Sequence, residues 1–123
     1  RPVTAIRNAD TDGNDATDAD PTWLAQVNTP PHPEYPAAHG CAAGAVMEAL
    51  RQYFGTKHID LSFTSSASNS THVFDHTDAF LEEIGNARVY GGMHFRTSTE
   101  DGAALGKKVA KWVANRHFKP AVD

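Results

Sequence analysis

Prolines are concentrated in the first third of the chain and restrict where helices can form. Six of the seven prolines fall within residues 1–37: Pro2, Pro21, Pro30, Pro31, Pro33 and Pro36. Proline has no backbone N–H to donate inside a helix, so these positions favour extended or irregular backbone. An acidic, turn-rich stretch from Asp10 to Asp20 adds to this pattern. We therefore predict an irregular segment over residues 1–37 and a helical core over residues 38–123, together making one partial domain.

The first helix is predicted over residues 38–54. Its apolar residues recur at the spacing of one helical face: Ala42, Ala45, Val46, Ala49, Leu50 and Tyr53. The many alanines and glycines of this stretch indicate that another backbone packs closely against it. Farther on, Ile59–Phe63 alternates with period two, and a Ser- and Asn-rich stretch separates it from His72–Phe74. This pattern predicts either a short hairpin or an extended loop.

Two further helices complete a mainly α fold, which we predict to be a helical-bundle fragment. One is predicted over residues 77–90, with a cap at Thr77 or Asp78, an end at Gly91-Gly92, and a buried face of Phe80, Leu81, Ile84 and Ala87. The other is predicted over residues 99–117, with a cap at position 98 or 99 and a face of Leu105, Val109, Trp112, Val113 and Arg116. Trp23, Trp112 and the phenylalanines are assigned to the core.

Composition excludes several classes of function. A net charge of −4 argues against a nucleic-acid partner, and Lys107, Lys108 and Lys111 fit the solvated face of a helix. No apolar run approaches the roughly 20 residues of a membrane span. The acidic loop fails the calcium-loop pattern, because Asp15 and Pro21 stand where glycine and glutamate are required. The remaining histidines lack zinc spacing with the single cysteine. A glycosylation sequon at Asn69 is compatible with secretion, and the compartment stays open.

His39 lies at the start of the first predicted helix, in Pro36-Ala-Ala-His-Gly40. The first N–H groups of a helix have no internal partners, so such an end can bind an anion. A histidine there is placed to donate a proton to a bound oxyanion. The alternative interpretation is a surface or capping histidine, which this segment alone favours.

Arg88 and His94 form the second candidate pair. Arg88 follows Ile84 by four residues and therefore falls on the apolar face of its helix. A buried arginine requires a carboxylate or a bound anion. Gly91-Gly92 would let the backbone bend and turn the His94 imidazole toward Arg88. The alternative is an ordinary helix end with a satisfied histidine.

Taken in order, three segments resemble the motifs of the superfamily that unites vanadium-dependent haloperoxidases and type 2 phosphatidic acid phosphatases. The segments are Arg1-Pro2, Tyr35-Pro-Ala-Ala-His-Gly40 and Ala87-Arg88-x5-His94. The superfamily pattern is Lys-x6-Arg-Pro, Pro-Ser-Gly-His and Ser-Arg-x5-His-x3-Asp. His32-Pro-Glu-Tyr-Pro-Ala-Ala-His39 and residues 87–109 are most similar to the soluble haloperoxidase-like branch. The resemblance covers essentially the whole chain and implies a C-terminal fragment of such a protein.

The resemblance implies a role for each matching residue. Arg1, Arg88 and the backbone at Ala38 would hold the oxygens of vanadate or phosphate. His94 would be the nucleophile toward phosphorus or the vanadium ligand, and His39 the acid–base. The implied cofactor is vanadate. The implied reaction is halide oxidation by peroxide or hydrolysis of a phosphomonoester, and the implied partner is a small oxyanion or phosphate ester.

The sequence departs from the superfamily pattern around the site. Ala37 and Ala38 replace serine and glycine, and Ala87 replaces the serine before the arginine. Ser98 stands where the pattern has the aspartate that orients the nucleophilic histidine, and Glu100 or Asp101 are the neighbouring carboxylates. These departures motivate an alternative function, a non-catalytic binding or assembly module.

The pattern also places a lysine seven residues before Arg1, outside this sequence. We therefore expect an excised fragment that needs a missing N-terminal portion, or a second copy of itself, to cover its apolar faces.

Overall fold

The structure, a computed structural model, describes residues 1–117 as a helical bundle with a short hairpin. Its helices are α1 (Pro2–Arg7), α2 (Ala38–Phe54), α3 (Thr77–Tyr90) and α4 (Arg96–Arg116), and the strands are β1 (Leu61–Ser65) and β2 (Ser70–Phe74). This architecture confirms the mainly α class and resolves the predicted choice between hairpin and loop. The segment over residues 1–37 is not wholly irregular as predicted, since it contains α1 and a short 3-10 turn over Ala9–Thr11. Pro2 stands at the start of α1, where its missing N–H costs no helical hydrogen bond.

The bounds of α2 and α3 agree with the sequence prediction, but the caps do not. His76, not Thr77 or Asp78, caps α3, because its Nδ1 accepts the N–H of Ala79 at 2.9 Å. The last helix begins at Arg96, three residues before the predicted start. Its N-cap, at position 95, has no side-chain hydrogen bond. The predicted caps at positions 98 and 99 were therefore wrong, and both side chains are buried inside the helix.

The hairpin pairs β1 with β2 in antiparallel register, with Leu61 opposite Phe74. The strands are not the predicted segments, since the first begins two residues later and the second two residues earlier than the sequence suggested. Phe63 and Phe80 stack at a ring-centroid distance of 4.6 Å, so aromatic contacts attach the hairpin to α3. Within residues 1–117, no helix combines the length and the hydropathy that crossing a membrane requires.

Helices α2 and α4 pack backbone to backbone through glycine. An added Cβ at Gly102 would lie 2.5 Å from the carbonyl oxygen of Ala37. Methyl groups at Gly44 and Gly106 would collide with the facing helix backbone. The absence of side chains at these positions lets the helices approach closely, as the small-residue content of α2 predicts.

The predicted apolar faces of α2 and α4 are not the buried faces. Tyr53 is 83% exposed and Trp112 is 51% exposed, and Val46, Leu105 and Val109 are exposed as well. The buried residues are Gly40, Gly44, Met47 and Glu48 in α2, and Ser98, Thr99, Gly102 and Gly106 in α4. Periodicity selects the face with the largest apolar side chains, whereas the closest backbone contact selects the face with the smallest ones. Assigning Trp112 to the core was therefore wrong, and among the phenylalanines Phe54, Phe63 and Phe95 are exposed.

Gly44→Ala and Gly106→Ala test this backbone contact. Each added methyl group overpacks the interface, so we expect a loss of about 1–3 kcal/mol in the free energy of unfolding. Gly85→Ala is the matched control, because its Cβ would meet nothing nearer than the Thr99 hydroxyl at 3.6 Å. Alanine's higher helix propensity should make that variant equal to or up to about 1 kcal/mol more stable than the parent. Equal losses in all three variants, measured by urea unfolding, would contradict the packing argument.

Candidate functional site

The N-terminus of α2 and the turn between α3 and α4 meet at one end of the bundle. The N–H of Ala37 donates to the carbonyl of Ser98 at 3.0 Å, which holds the start of α2 against α4. After α3, the N–H of His94 donates back to the carbonyl of Arg88 at 3.3 Å. Gly92 allows this turn with a φ of +76°, a conformation that costs glycine little. Three predicted site residues come together as a result: His39, Arg88 and His94.

Arg1 joins this end of the bundle to the proline-rich loop. Its Nη1 donates to the carbonyl of Met93 at 2.7 Å and lies 3.2 Å from Nε2 of His94. Its Nη2 donates to carbonyls of the loop, at Pro30, His32 and Pro33. The fixed guanidinium therefore places a positive charge directly beside the imidazole.

Arg88 carries a second positive charge, which protein groups leave unmatched. Its Nε and Nη2 atoms are buried and have no hydrogen-bond partner among residues 1–117. Burial lowers the pKa of this guanidinium, and the charge of Arg1 lowers it further. A buried donor without an acceptor costs free energy, and a charged donor costs more. An anion bound against these atoms would remove that cost.

His94 is held in one tautomer. Its side chain is fully buried, with the residue 1% exposed. Arginine can only donate, so Nε2 facing the Arg1 guanidinium must be the unprotonated nitrogen. The proton is then on Nδ1, which donates to the carbonyl oxygen of Glu34 at 2.8 Å. The lone pair of Nε2 is thus directed toward the Arg1 guanidinium.

Burial lowers the pKa of His94. The hydrogen bond to the Glu34 carbonyl raises the pKa in part, and the charges of Arg1 and Arg88 lower it. His39 is exposed, but the surrounding protein desolvates its imidazole and lowers its pKa. Arg88, His32 and His94 lower the pKa of His39 further. Both imidazoles therefore stay neutral to a lower pH than the imidazole of a free histidine does.

Two residues at this site were not predicted. The His32 ring lies 6.2 Å from the His94 ring and is tilted by 28°. The carboxylate of Glu34 has Oε1 at 3.3 Å from Nδ1 of His94 and accepts the hydroxyl of Ser98 through Oε2 at 2.8 Å. Both lie in His32-Pro-Glu-Tyr-Pro, beside a motif that the sequence does mark. Their side-chain directions depend on the loop conformation, which no periodicity reveals.

Glu100 and Asp101, the carboxylates next to Ser98 in sequence, make no hydrogen bond to His94. Asp101 instead accepts the hydroxyl of Tyr35 at 2.9 Å, and Glu100 lies exposed on α4. One turn of helix carries both side chains away from the site. The carboxylate that contacts His94 comes from Glu34 instead, with Oε1 at 3.3 Å from Nδ1.

The structure brings together Arg1, His39, Arg88 and His94, and it places Ala38 in the first turn of α2, where no side chain caps the helix. Their catalytic and binding roles stay predictions. Among residues 1–117, no group of three or more His, Cys, Asp or Glu side chains is arranged to hold a metal ion. The site is instead cationic, with a neutral imidazole at its centre, a composition suited to an anion.

The fold and this arrangement define a helical-bundle domain of the haloperoxidase type. The sequence matches the family of the VCPO second helical-bundle domain over residues 1–121, and the chain belongs to that family. This membership confirms the resemblance drawn from the ordered motifs. Among curated proteins, none matches the sequence.

Solved structures of vanadium-dependent haloperoxidases share the fold. The crystal structure of the first bacterial vanadium-dependent iodoperoxidase is 27% identical, with a TM-score of 0.73, over 80% of this chain and 24% of that chain. The apo-type bacterial vanadium-dependent chloroperoxidase is 23% identical, with a TM-score of 0.71, over 90% and 29% of the two chains. The holo-type structure of the bacterial vanadium-dependent chloroperoxidase is 22% identical, with a TM-score of 0.71, over 90% of this chain and 28% of that chain. The chain therefore spans about a quarter of the length of these proteins.

An NMR titration tests the electrostatics of the two imidazoles. We expect His39 and His94 to titrate below the value of about 6.5 for a free histidine. The unfolded chain then binds protons at a pH where the folded chain does not, so the free energy of unfolding should fall as the pH drops below about 6.5. His94→Gln and His39→Gln should each make that fall shallower. Ordinary midpoints for both rings would contradict the arrangement described.

Proposed function

We propose that this domain forms the larger part of a binding site for a tetrahedral oxyanion, and that with vanadate it serves halide oxidation by peroxide. The observation that carries this proposal is the buried, unmatched guanidinium of Arg88. Guanidinium groups bind tetrahedral oxyanions through paired, charge-assisted hydrogen bonds. The similarity to vanadium-dependent haloperoxidases favours vanadate as the oxyanion.

The charge balance of the site supports an anion. Arg1 and Arg88 lie close enough that the charge of the first lowers the pKa of the second. Both histidines that face them are neutral at pH 7, since their pKa values are lowered. Among residues 1–117, the carboxylate that contacts His94 is that of Glu34, and its single charge cannot offset both cations. A bound oxyanion would supply the missing negative charge.

The start of α2 adds backbone donors to the same end of the bundle. The first N–H groups of α2, beginning at Ala38, have no helical partners, and no side chain among residues 1–117 caps the helix. The alanines at positions 37 and 38 remove a hydroxyl but keep these N–H groups. A helix N-terminus also carries a partial positive charge, which favours an anion.

The residues present fit vanadate. Arg88 would hold its oxygens. His94 would be the ligand to vanadium through Nε2, and the Arg1 guanidinium, which lies 3.2 Å from that nitrogen, would exchange this contact for one with a vanadate oxygen. When bound, vanadate would supply the activation of peroxide toward halide. His39 stands at the edge of the site as a neutral base. Once protonated, its lowered pKa makes it a stronger acid than an ordinary histidine, so it would take and return a proton readily.

Phosphomonoester hydrolysis is the alternative reaction, because the same donors fit a phosphoryl group in its trigonal-bipyramidal transition state. The similarity to solved haloperoxidases favours halide oxidation. A non-catalytic binding or assembly module is the alternative from another class, and the replacements at Ala37, Ala38 and Ala87 support it. Turnover assays separate the three functions. Halide oxidation predicts turnover of halide with peroxide, a phosphatase predicts hydrolysis of a chromogenic phosphate ester, and a binding module predicts neither although it binds an anion.

Calorimetric titration with vanadate and with phosphate tests the site directly. Each loss of a charge-assisted partner costs about 1.5–3 kcal/mol, so Arg88→Gln and His94→Ala should each weaken binding by about 10- to 100-fold. Arg116→Gln removes an equal charge from the far end of α4 and should leave affinity unchanged. Folding is checked for every variant by circular dichroism. The proposal is wrong if the folded chain binds neither anion, or if Arg88→Gln and His94→Ala both leave the affinity unchanged.

The exposed apolar groove between α2 and α4 supports a further partner. Ala45, Val46, Ala49, Tyr53, Val109, Ala110, Val113 and Ala114 line it together with Gln52, around a volume of about 690 Å³. Contiguous apolar side chains that are exposed, such as Tyr53 at 83% and Val46 at 54%, are typical of a surface that contacts another polypeptide. We infer that further polypeptide covers it, either the remainder of a longer chain or a second copy of this one.

Sedimentation velocity tests this cover. The isolated chain should self-associate, and Tyr53→Glu or Val109→Glu should shift it toward monomer, because a charge in the groove opposes apolar burial. Leu24→Glu is the matched control, since Leu24 is 73% exposed, between Val109 at 50% and Tyr53 at 83%, but lies outside the groove. A compact monomer that binds no hydrophobic dye would contradict the inference.

A further inference from the structure

We propose that Glu34 is the positioning residue that fixes His94 in its Nδ1–H tautomer, and that Ser98 seats the Glu34 carboxylate for this task. The consequence for anion binding rests on the function proposed above. The tautomer itself does not, and it can be measured on the free protein.

Glu34 meets His94 twice. Its backbone carbonyl accepts the Nδ1 proton at 2.8 Å, and its Oε1 lies 3.3 Å from the same nitrogen. In the other tautomer, the Nδ1 lone pair would face two oxygen atoms and the Nε2 proton would face the Arg1 guanidinium. Both contacts would be repulsive. The ring is fully buried, so water has little access to relieve them.

The carboxylate is itself held at both oxygens. Oε1 accepts the N–H of Phe95 at 3.0 Å, and Oε2 accepts the hydroxyl of Ser98 at 2.8 Å. These two donors lie on either side of the α4 start and tie the loop to the helix. They therefore fix the carbonyl of Glu34 as well as its carboxylate, which is how one residue can orient the ring.

The arrangement explains a departure from the superfamily pattern. Position 98, where that pattern has aspartate, holds serine, and the negative charge comes from Glu34 on the facing loop. Because Oε2 of Glu34 lies 2.8 Å from the Ser98 hydroxyl, a carboxylate at position 98 would occupy nearly the same space. A carboxylate can therefore act from the loop or from the helix, but two would repel each other.

Long-range ¹⁵N–¹H spectra of histidine-labelled protein report the tautomer of His94. The parent should show the Nδ1–H form. In Glu34→Ala a mixed or exchange-broadened signal is expected, and Ser98→Ala should shift the population in the same direction by less. Adding Ser98→Asp to Glu34→Ala should restore the Nδ1–H form, whereas Ser98→Asp alone should disturb it. Glu100→Ala, which removes an exposed carboxylate from the same helix, is the control.

Vanadate affinity supplies the second readout. Loss of a group that orients a ligand histidine weakens binding by about 10- to 100-fold, so Glu34→Ala should lose that much and the double variant should recover most of it. A merely structural role predicts no recovery in the double variant. That result, or a folded Glu34→Ala protein with the parent tautomer, would overturn the proposal. If Glu34→Ala does not fold, an unchanged His94 tautomer in Ser98→Ala would overturn the proposal instead. If the tautomer changes in these variants but the parent protein binds no vanadate, this inference holds and the proposed function fails.

Discussion

The backbone contact between α2 and α4 is the constraint on which the rest of the structure depends. Glycine on both helices removes the side chains that would hold them apart, so the two backbones lie close along the interface. One hydrogen bond, from the N–H of Ala37 to the carbonyl of Ser98, fixes the start of α2 against the first turn of α4. His39 follows that bond on α2 and His94 precedes α4, so the same contact sets where both imidazoles stand.

The site brings two arginines close together and places few negatively charged side chains near them. Arg1 is tied by carbonyl oxygens, which accept its protons without offsetting its charge, and Arg88 is buried with two unmatched atoms among residues 1–117. Desolvation keeps both histidines neutral, so they do not add to the repulsion. The one carboxylate in contact with His94, from Glu34, binds Ser98 and the α4 start. Such a balance is costly in the free protein and favourable once an anion is present.

Sequence pattern and structure agree where local rules decide and differ where packing decides. The bounds of α2 and α3 follow from periodicity and from the prolines and glycines that flank them, and these the structure confirms. The buried faces were wrong because close helix contact selects glycine over Tyr53 and Trp112. The caps were wrong because His76 competes with Thr77, and because α4 starts early enough to bury Ser98. The ordered motifs predicted the family, which the match over residues 1–121 confirms.

The sequence by itself determined helices α2 and α3, the family, and which arginines and histidines are the candidates. These follow from short-range rules and from the order of residues along the chain. Only the tertiary structure decided that two buried nitrogens of Arg88 have no partner among residues 1–117, that His94 carries its proton on Nδ1, and that the carboxylate in contact with His94 is Glu34. The physical reason is that each of these depends on contacts between residues far apart in sequence. Glu34 and His94 are separated by 60 positions, and their hydrogen bond exists only because α2 and α4 close together.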